Sequence, residues 1–159
     1  MEQSLKPKIT LVFGRICSGK GSYFKDADKR IVVSDIVKGI ISSTNRDALQ
    51  NSLHLDNQIG TTLLNSIYLA TMACREHIIV DGIRQVSIVD RVLNMYPEAD
   101  MIWLEVPTEE RKRRYESRKD VKDVQSFEVA DNKEIELECQ KILSTFKDKI
   151  TTIHNYGIN

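Results

Sequence analysis

Residues 9–22, ITLVFGRICSGKGS, lead from an apolar strand candidate through a glycine-rich turn into a candidate helix. Gly14, four further residues and then the pair Gly19 and Lys20 have the spacing of a phosphate-binding loop. A glycine, rather than the usual serine or threonine, follows Lys20, and the hydroxyl arrives one position later at Ser22. Glycines let the backbone approach a ligand closely, and successive N–H groups at a helix N-terminus can cradle an anion. The stretch therefore predicts a strand, a polyphosphate site and a helix, in that order.

The expected ligand of this loop is a nucleoside polyphosphate with Mg²⁺. In such loops the lysine reaches the outer phosphates, and a hydroxyl, here that of Ser22, helps to hold the metal. The alternative is a glycine-rich turn that binds nothing, which the strand before the loop and the helix after it disfavour. The side chains of Arg15 and Cys17 are expected to be incidental to binding. The predicted nucleotide contacts in the loop are Gly14, Arg15, Ile16, Cys17, Ser18, Gly19, Lys20, Gly21 and Ser22.

The composition predicts one globular domain that spans residues 1–159. Hydrophobic residues make up 41% of the chain and charged residues 29%, ordinary values that argue against disorder. The formal net charge is zero, so attraction to nucleic acid or to a membrane would have to come from a local patch. The sequence shows neither the apolar centre of a signal peptide nor the roughly 18–20 apolar residues of a membrane-spanning helix. Three cysteines that lie far apart fit a reducing cytosol, so we expect a cytoplasmic protein without a zinc site.

Apolar runs alternate with helical patterns along the chain. Short, nearly continuous apolar strands between helices predict a buried parallel sheet. We therefore expect a three-layer α/β domain with five parallel strands and helices on both faces. The expected strands are 8–13, 30–33, 77–80, 100–106 and 150–154. The expected helices are 20–29, 35–43, 57–75, 86–95, 108–118 and 132–147.

Chemistry is expected where the strands end, because ligands of such sheets bind beyond the carboxyl ends of the strands. Asp35 follows the second strand, and Asp81 and Arg84 follow the third. The helix after the fourth strand carries a row of basic residues within 111–118. Glycines, two carboxylates and several arginines at one edge of the sheet predict a polyphosphate site with a metal.

Together these motifs resemble the nucleoside monophosphate kinase superfamily of phosphate-loop kinases, which includes adenylate kinases and dephospho-coenzyme A kinases. Adenylate kinases place a hydroxyl residue after Gly-Lys-Gly, as Ser22 is placed here. Their Asp-Gly-Phe-Pro-Arg segment is similar to residues 81–84, which are one residue shorter. Their Val-Pro followed by Arg-x-x-x-Arg is similar to residues 106–107 followed by Arg114 and Arg118. The resemblance covers most of the chain and implies ATP, Mg²⁺, phosphoryl transfer and a sheet with the strand order 2-3-1-4-5.

The resemblance also assigns roles at this edge of the sheet. Asp81 and Ser22 would hold Mg²⁺, Asp81 partly through water. Arg84 would clamp the acceptor, while Arg114 and Arg118, four residues apart on one helical face, would turn toward the transferring phosphoryl group. The structural alternatives are a helix cap for Asp81 and a surface ion pair for Arg84. The expected catalytic residues are Lys20, Asp35, Arg84, Arg114 and Arg118. Further ATP contacts are expected from Arg114, Asn155 and Gly157.

The lid and the C-terminal loop carry three further expectations. On the helix after the fourth strand, Arg111, Lys112 and Arg113 are expected to face solvent. The lid, at about 114–131, is short and partly acidic, and would cover a small substrate poorly. The loop at 155–157 resembles the family's Asn-x-Gly loop near adenine, after which the family usually continues into a final helix. A partner subunit over that face, in a homodimer, is one interpretation.

The acceptor is expected to be a hydroxyl. The family's Ser/Thr-Gly-Asp-x-x-Arg segment resembles residues 34–38, with Lys38 in place of the arginine. Fewer arginines, a retained Asp35 and an open lid favour a hydroxyl on a bulky acceptor, with Asp35 as the base that takes its proton. A helix N-cap is the structural alternative for Asp35. A relative of that kind phosphorylates 5-hydroxymethyluracil in phage DNA, which predicts a phage-encoded kinase in the host cytoplasm.

The acceptor-binding segment is expected at about 35–75 and includes the polar stretch 43–58. The zero net charge argues against DNA, because a basic stripe is the usual footprint of a DNA-binding surface. A deoxynucleoside monophosphate kinase, a small-molecule kinase similar to dephospho-coenzyme A kinase, and a nucleotide-binding adaptor without catalysis therefore stay open as alternatives. The expected acceptor contacts are Asp35, Lys38, Arg46, Gln50, Arg84 and Gln85.

Overall fold

Five parallel strands form the central sheet in the order β2-β3-β1-β4-β5, which confirms the predicted topology. The structure is a computed structural model, and it describes residues 6–24, 26–42, 53–73, 75–118 and 125–155. β1 lies in the centre between β3 and β4, so the loop that follows it emerges at the middle of the sheet. β2 and β5 are the edge strands. The strands are β1 (Lys8–Phe13), β2 (Lys29–Val32), β3 (His77–Asp81), β4 (Asp100–Glu105) and β5 (Ile150–His154).

Helices connect the strands and cover the sheet. They are α1 (Lys20–Tyr23), α2 (Val33–Ile41), α3 (Asp56–Met72), α4 (Val86–Met95), α5 (Thr108–Arg118), α6 (Phe127–Asp131) and α7 (Glu134–Thr145). A short 3₁₀ turn, Leu53–Leu55, precedes α3. Buried side chains of α2, α3, α4 and α7 pack with Leu11, Phe13 and Trp103 in the main core cluster, so Trp103 is a core residue as predicted. In the part of the chain that the structure describes, no helix has both the length and the apolar character needed to cross a membrane.

The opposite face of the sheet has a thinner cover. Val12, Ile79 and Leu104 form its buried cluster, and Phe24 and Ala27 pack against them. The predicted helix 20–29 ends early, at Tyr23, because the chain turns at Phe24, whose carbonyl accepts a bond from the Ala27 N–H at 3.2 Å. This short helix keeps the residues after the phosphate-binding loop close to the sheet.

The predicted helix 132–147 corresponds to α7 (Glu134–Thr145), and α6 (Phe127–Asp131) lies before it in the predicted lid, so this part of the chain holds two helices. Ser126 caps the first of them, and its hydroxyl accepts a bond from the Val129 N–H at 3.2 Å. The side chain of Ser126 therefore stabilises an additional helix start that the apolar pattern does not reveal.

The structure excludes a capping role for both carboxylates of the predicted site. α2 begins at Val33 with Val32 as its N-cap, so Asp35 lies within the first turn. Asp81 is the last residue of β3, and α4 begins five residues later at Val86. The role of each acidic side chain must therefore follow from its contacts with other residues.

Candidate active site

The loop between β1 and α1 is held in a tight turn. The Ser18 N–H donates to the Arg15 carbonyl at 3.2 Å, and Cys17 and Gly19 have positive φ values of 61° and 84°. The φ of Gly19 favours glycine, and a Cβ built there would lie 2.7 Å from Nδ2 of Asn155, so a larger residue would also displace this amide. For Cys17 the left-handed conformation costs about 1–2 kcal/mol. The surrounding contacts must therefore hold the loop in this shape.

Lys20, the first residue of α1, lies over the end of β3. Its Nζ is 3.5 Å from the Gly14 carbonyl oxygen, and a Cβ built on Gly82 would be 3.8 Å from its Cε. Gly82 has a φ of 89°, a conformation that favours glycine. Burial lowers the pKa of Lys20, Arg84 lowers it further, and Asp81 and other acidic neighbours oppose the shift. The lysine thus lies beside two of the residues with which it was predicted to act.

Arg84 is held by a carboxylate from α7. Its Nη1 donates to Oε1 of Glu136 at 2.6 Å, and Glu136 is 1% exposed. Burial alone would lower the pKa of Arg84, but the charge of Glu136 raises it above the ordinary value. The alternative for Arg84 was a surface ion pair; the structure shows an ion pair that is partly buried, since the Arg84 side chain is 20% exposed and that of Glu136 1%. Cys139, one turn further along α7, lies in the same region, and burial raises the pKa of its thiol.

Asp81 faces a cation that the sequence did not indicate. Arg30 of β2 donates to Oδ2 of Asp81 from Nε at 3.1 Å and from Nη2 at 2.7 Å. The Asp81 side chain is only 6% exposed. The same guanidinium lies against the start of α1, because a Cβ on Gly21 would be 2.7 Å from its Nη2. A buried carboxylate next to a phosphate-binding loop is suited to hold a metal ion. In this structure the guanidinium of Arg30 supplies the positive charge at that carboxylate.

Arg114 and Arg118 both reach the phosphate-binding loop from α5. Arg114, 5% exposed, donates to the Cys17 carbonyl at 3.1 Å and to the Asn155 carbonyl at 3.3 Å. Arg118 donates from Nη2 to the Cys17 Sγ at 2.7 Å. Asn155 completes the group, since its Nδ2 donates to the Ser18 carbonyl at 3.0 Å. The structure thus brings together three segments that lie far apart in sequence: the phosphate-binding loop, the end of α5 and Asn155.

Arg111 does not face solvent, so that expectation is wrong. Its side chain is 6% exposed, donates to Oδ1 of Asp131 at 2.6 Å and lies over the Phe127 ring at 5.5 Å. The reason is helical periodicity, because residue 111 lies one turn before Arg114 on the buried face of α5. Lys112 and Arg113 are 45% and 57% exposed, as expected.

Arg15 is an anchor of the loop rather than an incidental side chain. Its Nε donates to Oδ1 of Asp131 at 3.0 Å, its Nη2 donates to the Asp131 carbonyl, and its Nη1 donates to Gln140. Asp131 therefore receives bonds from two arginines, Arg15 in the loop and Arg111 in α5. This carboxylate fastens the C-terminal end of the lid to the phosphate-binding loop.

Asp35 and Lys38 form an exposed ion pair on α2. Lys38 donates to the Asp35 carboxylate at 3.4 Å, and the Asp35 side chain is 67% exposed. Asp35 lines a groove along the outer edge of β2, together with Arg30. Gln85, another predicted acceptor contact, is 3% exposed. Arg46, Gln50, Gly157, the side chain of Ser22 and lid residues 119–124 fall outside what the structure describes.

Sequence reasoning missed three residues of this region, Arg30, Asp131 and Glu136. A charged residue within a four-residue strand is a signal for Arg30, because residues of a buried strand are usually apolar. Glu136 and Asp131 gave no such signal, since single acids in helical segments usually face solvent.

Comparison with known proteins supports the fold. No protein-family model matches the chain, and no curated protein sequence matches it. The structure is similar to that of a sugar kinase from Janibacter sp. HTCC2649, with 14% identity, a TM-score of 0.63, and 93% of this chain and 85% of that chain covered. A shikimate kinase from Acinetobacter baumannii, in complex with shikimate, is 12% identical with a TM-score of 0.55, and the match covers 96% and 84% of the two chains.

A third similar structure is a chain of the Pnkp1/Rnl/Hen1 RNA repair complex. It is 19% identical with a TM-score of 0.59, and the match covers 89% of this chain but only 46% of that one. At these identities the likeness establishes the fold. The protein has the parallel α/β fold of phosphate-loop kinases, with its sequence motif in the position that this fold uses for phosphate.

Proposed function

We propose that the protein is an ATP- and Mg²⁺-dependent kinase that transfers the γ-phosphoryl group to a hydroxyl of a nucleotide-type acceptor. One observation carries the proposal: the side chain of Lys20 in the phosphate-binding loop lies against Gly82, which stands between Asp81 and Arg84 in the sequence, at the carboxyl end of a central parallel strand. Backbone N–H groups from Ile16 onward would bind the phosphates, and Lys20 would bind the outer ones.

The proposed roles follow from charge and position. Asp81 and Ser22 would hold Mg²⁺, which would neutralise charge on the phosphates, and Arg84 would face the transferred group. Arg114 and Asn155, which brace the loop at Cys17 and Ser18, would keep the N–H groups turned toward the nucleotide.

In the transfer, the acceptor oxygen bonds to the γ-phosphorus while the bond from that phosphorus to the β–γ bridging oxygen breaks. The hydroxyl proton passes to the Asp35 carboxylate, and ADP leaves. The exposed position of Asp35 supports a bulky acceptor, because a large molecule can reach this carboxylate from solvent. The favoured acceptor is the hydroxyl of 5-hydroxymethyluracil in DNA.

Other acceptors belong in the same test. A deoxynucleoside monophosphate or dephospho-coenzyme A would fit the motif pattern. The kinases of similar structure are named for a sugar and for shikimate, whose acceptor groups are hydroxyls, so these compounds are candidates too. An adaptor that binds ATP without catalysis would phosphorylate none of them.

The test is transfer of label from γ-³²P-ATP, with Mg²⁺, to each of these acceptors in parallel. Lys20→Ala should abolish transfer while circular dichroism and the melting temperature stay normal, and Lys147→Ala, an exposed lysine of the α7–β5 connection, is the matched control. On the best acceptor, Asp35→Asn should reduce kcat about 10²–10⁴-fold, the usual contribution of a positioned base. A kcat within a few-fold of wild type for Asp35→Asn would instead favour a phosphate acceptor, which needs no base. Activity that persists in excess EDTA would contradict the metal role of Asp81.

A further inference from the structure

A groove of about 410 Å³ runs along the open edge of the sheet, between β2 and the last turns of α3. β2 is an edge strand, so among the described residues no strand lies along its outer side. Leu69 and Ala70 of α3 form the apolar wall, and Leu69 is 66% exposed. An open strand edge and an exposed apolar wall form a concave surface that a ligand can enter.

The described lining of the groove has more basic than acidic side chains, and such a local excess is what a protein with zero net charge needs to attract an anionic partner. Lys29, Arg30 and Arg75 line it, and Asp35 is the acidic residue among the lining residues. The partner of Arg75 is Asp28, at 3.5 Å, and both side chains are well exposed, so this pair contributes little and leaves the guanidinium accessible. A phosphate-bearing ligand complements this surface better than a neutral one.

The groove is connected to the phosphate-binding loop through Arg30. This side chain lines the groove, donates two bonds to Asp81 and lies against Gly21 at the start of α1. Asp35, the predicted base, lines the same groove. A ligand that lies along β2 would therefore reach both the predicted base and the edge of the predicted metal site.

The length of the groove distinguishes a strand of nucleic acid from a single nucleotide. From Lys29 to Val32, β2 makes three steps and extends over about 10 Å at roughly 3.3 Å per residue. That is about three steps of a stacked nucleic-acid strand at 3.4 Å per step. A phosphate at Lys29 or Arg75 and a reacting hydroxyl at Asp35 would then belong to different nucleotides of one chain.

We infer that this groove binds a single nucleic-acid strand, with phosphates on Lys29 and Arg75, an apolar contact at Leu69 and the reacting nucleotide at Asp35. This inference rests on the proposed kinase function and specifies its acceptor as a polynucleotide. The described lining of the groove comes from β2, α3, Asp35, Ala73 and Arg75, and it includes no residue of the phosphate-binding loop, which the groove meets only through Arg30.

Fluorescence anisotropy of a fluorescein-labelled hexathymidylate tests the inference without any turnover. Lys29→Gln/Arg75→Gln should weaken binding at least tenfold. It should also lower the slope of log K against log salt by about 1.4, or 0.7 for each phosphate contact removed on a single strand. Lys147→Gln/Lys149→Gln removes the same charge from the α7–β5 connection and should bind like wild type. Unlabelled hexathymidylate should compete at least tenfold better than thymidine monophosphate.

The inference is overturned if the groove variant binds as tightly as the control variant, or if the mononucleotide competes as well as the oligonucleotide. Melting temperatures of both double variants show whether a loss of binding reflects unfolding. If the groove variant is unfolded, Leu69→Glu replaces it, and the same tenfold loss of oligonucleotide affinity is expected. The kinase proposal can fail independently of this inference. Oligonucleotide binding without any transfer of label would contradict the kinase proposal alone. Transfer of label to a small acceptor without oligonucleotide binding would contradict the proposed nucleic-acid site alone.

Discussion

Replacing Arg30 with glutamine should destabilise the protein, because it leaves the Asp81 carboxylate buried without its cation. Asp81 is 6% exposed and receives two bonds from Arg30, at 3.1 and 2.7 Å. Breaking a fully buried ion pair costs about 3–5 kcal/mol. The Arg30 side chain is 37% exposed, so water can reach the vacated site, and we expect a smaller loss of about 2 kcal/mol in the free energy of unfolding. In a domain of this size that corresponds to a melting temperature lower by about 4–8 °C.

Differential scanning calorimetry in EDTA measures this effect. Arg75→Gln is the matched control, because it removes an arginine from an exposed pair with Asp28 at 3.5 Å, and such pairs contribute about 0–1 kcal/mol. Arg30→Lys should recover part of the loss, since it restores the charge but not the two-bond geometry.

The change in melting temperature on addition of Mg²⁺ is a second measurement on the same variant. If Asp81 holds a metal, Mg²⁺ should raise the melting temperature of Arg30→Gln more than that of wild type, because the ion no longer competes with a guanidinium. A melting temperature for Arg30→Gln equal to wild type in EDTA would refute the reasoning about the buried carboxylate. An equal response of both proteins to Mg²⁺ would refute the competition between the metal and Arg30.

Two further variants probe the ion pairs of α5 and the shape of the loop. Hydrogen bonds from Arg113, with a further one from Arg114, lower the pKa of Glu110 from 4.5 to about 2. The ionised Glu110 therefore stabilises the folded protein fully above pH 4.5, and this stabilisation disappears as the pH falls toward 2. Glu110→Gln should therefore have a lower free energy of unfolding than wild type in urea at pH 7, and the difference should be smaller at pH 3. An equal difference at both pH values would contradict the ionic origin of this stabilisation. Gly19→Ala should weaken ATP binding by calorimetry at least tenfold, because its φ is 84° and its new Cβ would lie 2.7 Å from Nδ2 of Asn155. Gly39→Ala, whose Cβ would meet nothing within 4 Å, is its control and should bind ATP normally.

The sheet could be predicted because its signals are local. Each strand is a short apolar run, each of the longer helices has its own periodicity, and the loop after β1 combines a motif with its required flanks. The order of the strands followed from the kinase resemblance that this loop supports. Where the local signal was weak the prediction failed, as at Ser126, which starts a helix with one hydroxyl rather than with a long apolar pattern.

The motif residues were predicted, but their partners were not. Lys20, Asp81 and Arg84 follow strands and were found for that reason. Arg30 and Asp81 are 51 residues apart, Arg84 and Glu136 are 52 apart, and Arg15 and Asp131 are 116 apart. No short-range pattern links residues at such separations.

The sequence by itself determined the fold and the place where phosphate is expected. Only the tertiary structure decided which charges are paired, that Arg111 is buried, and that Asp35 opens onto a groove at the edge of β2. The physical reason is that hydrophobic periodicity repeats along a segment and can therefore be recognised in the sequence alone. An ion pair joins single side chains from different elements, so it exists only once the sheet has brought the ends of its strands together.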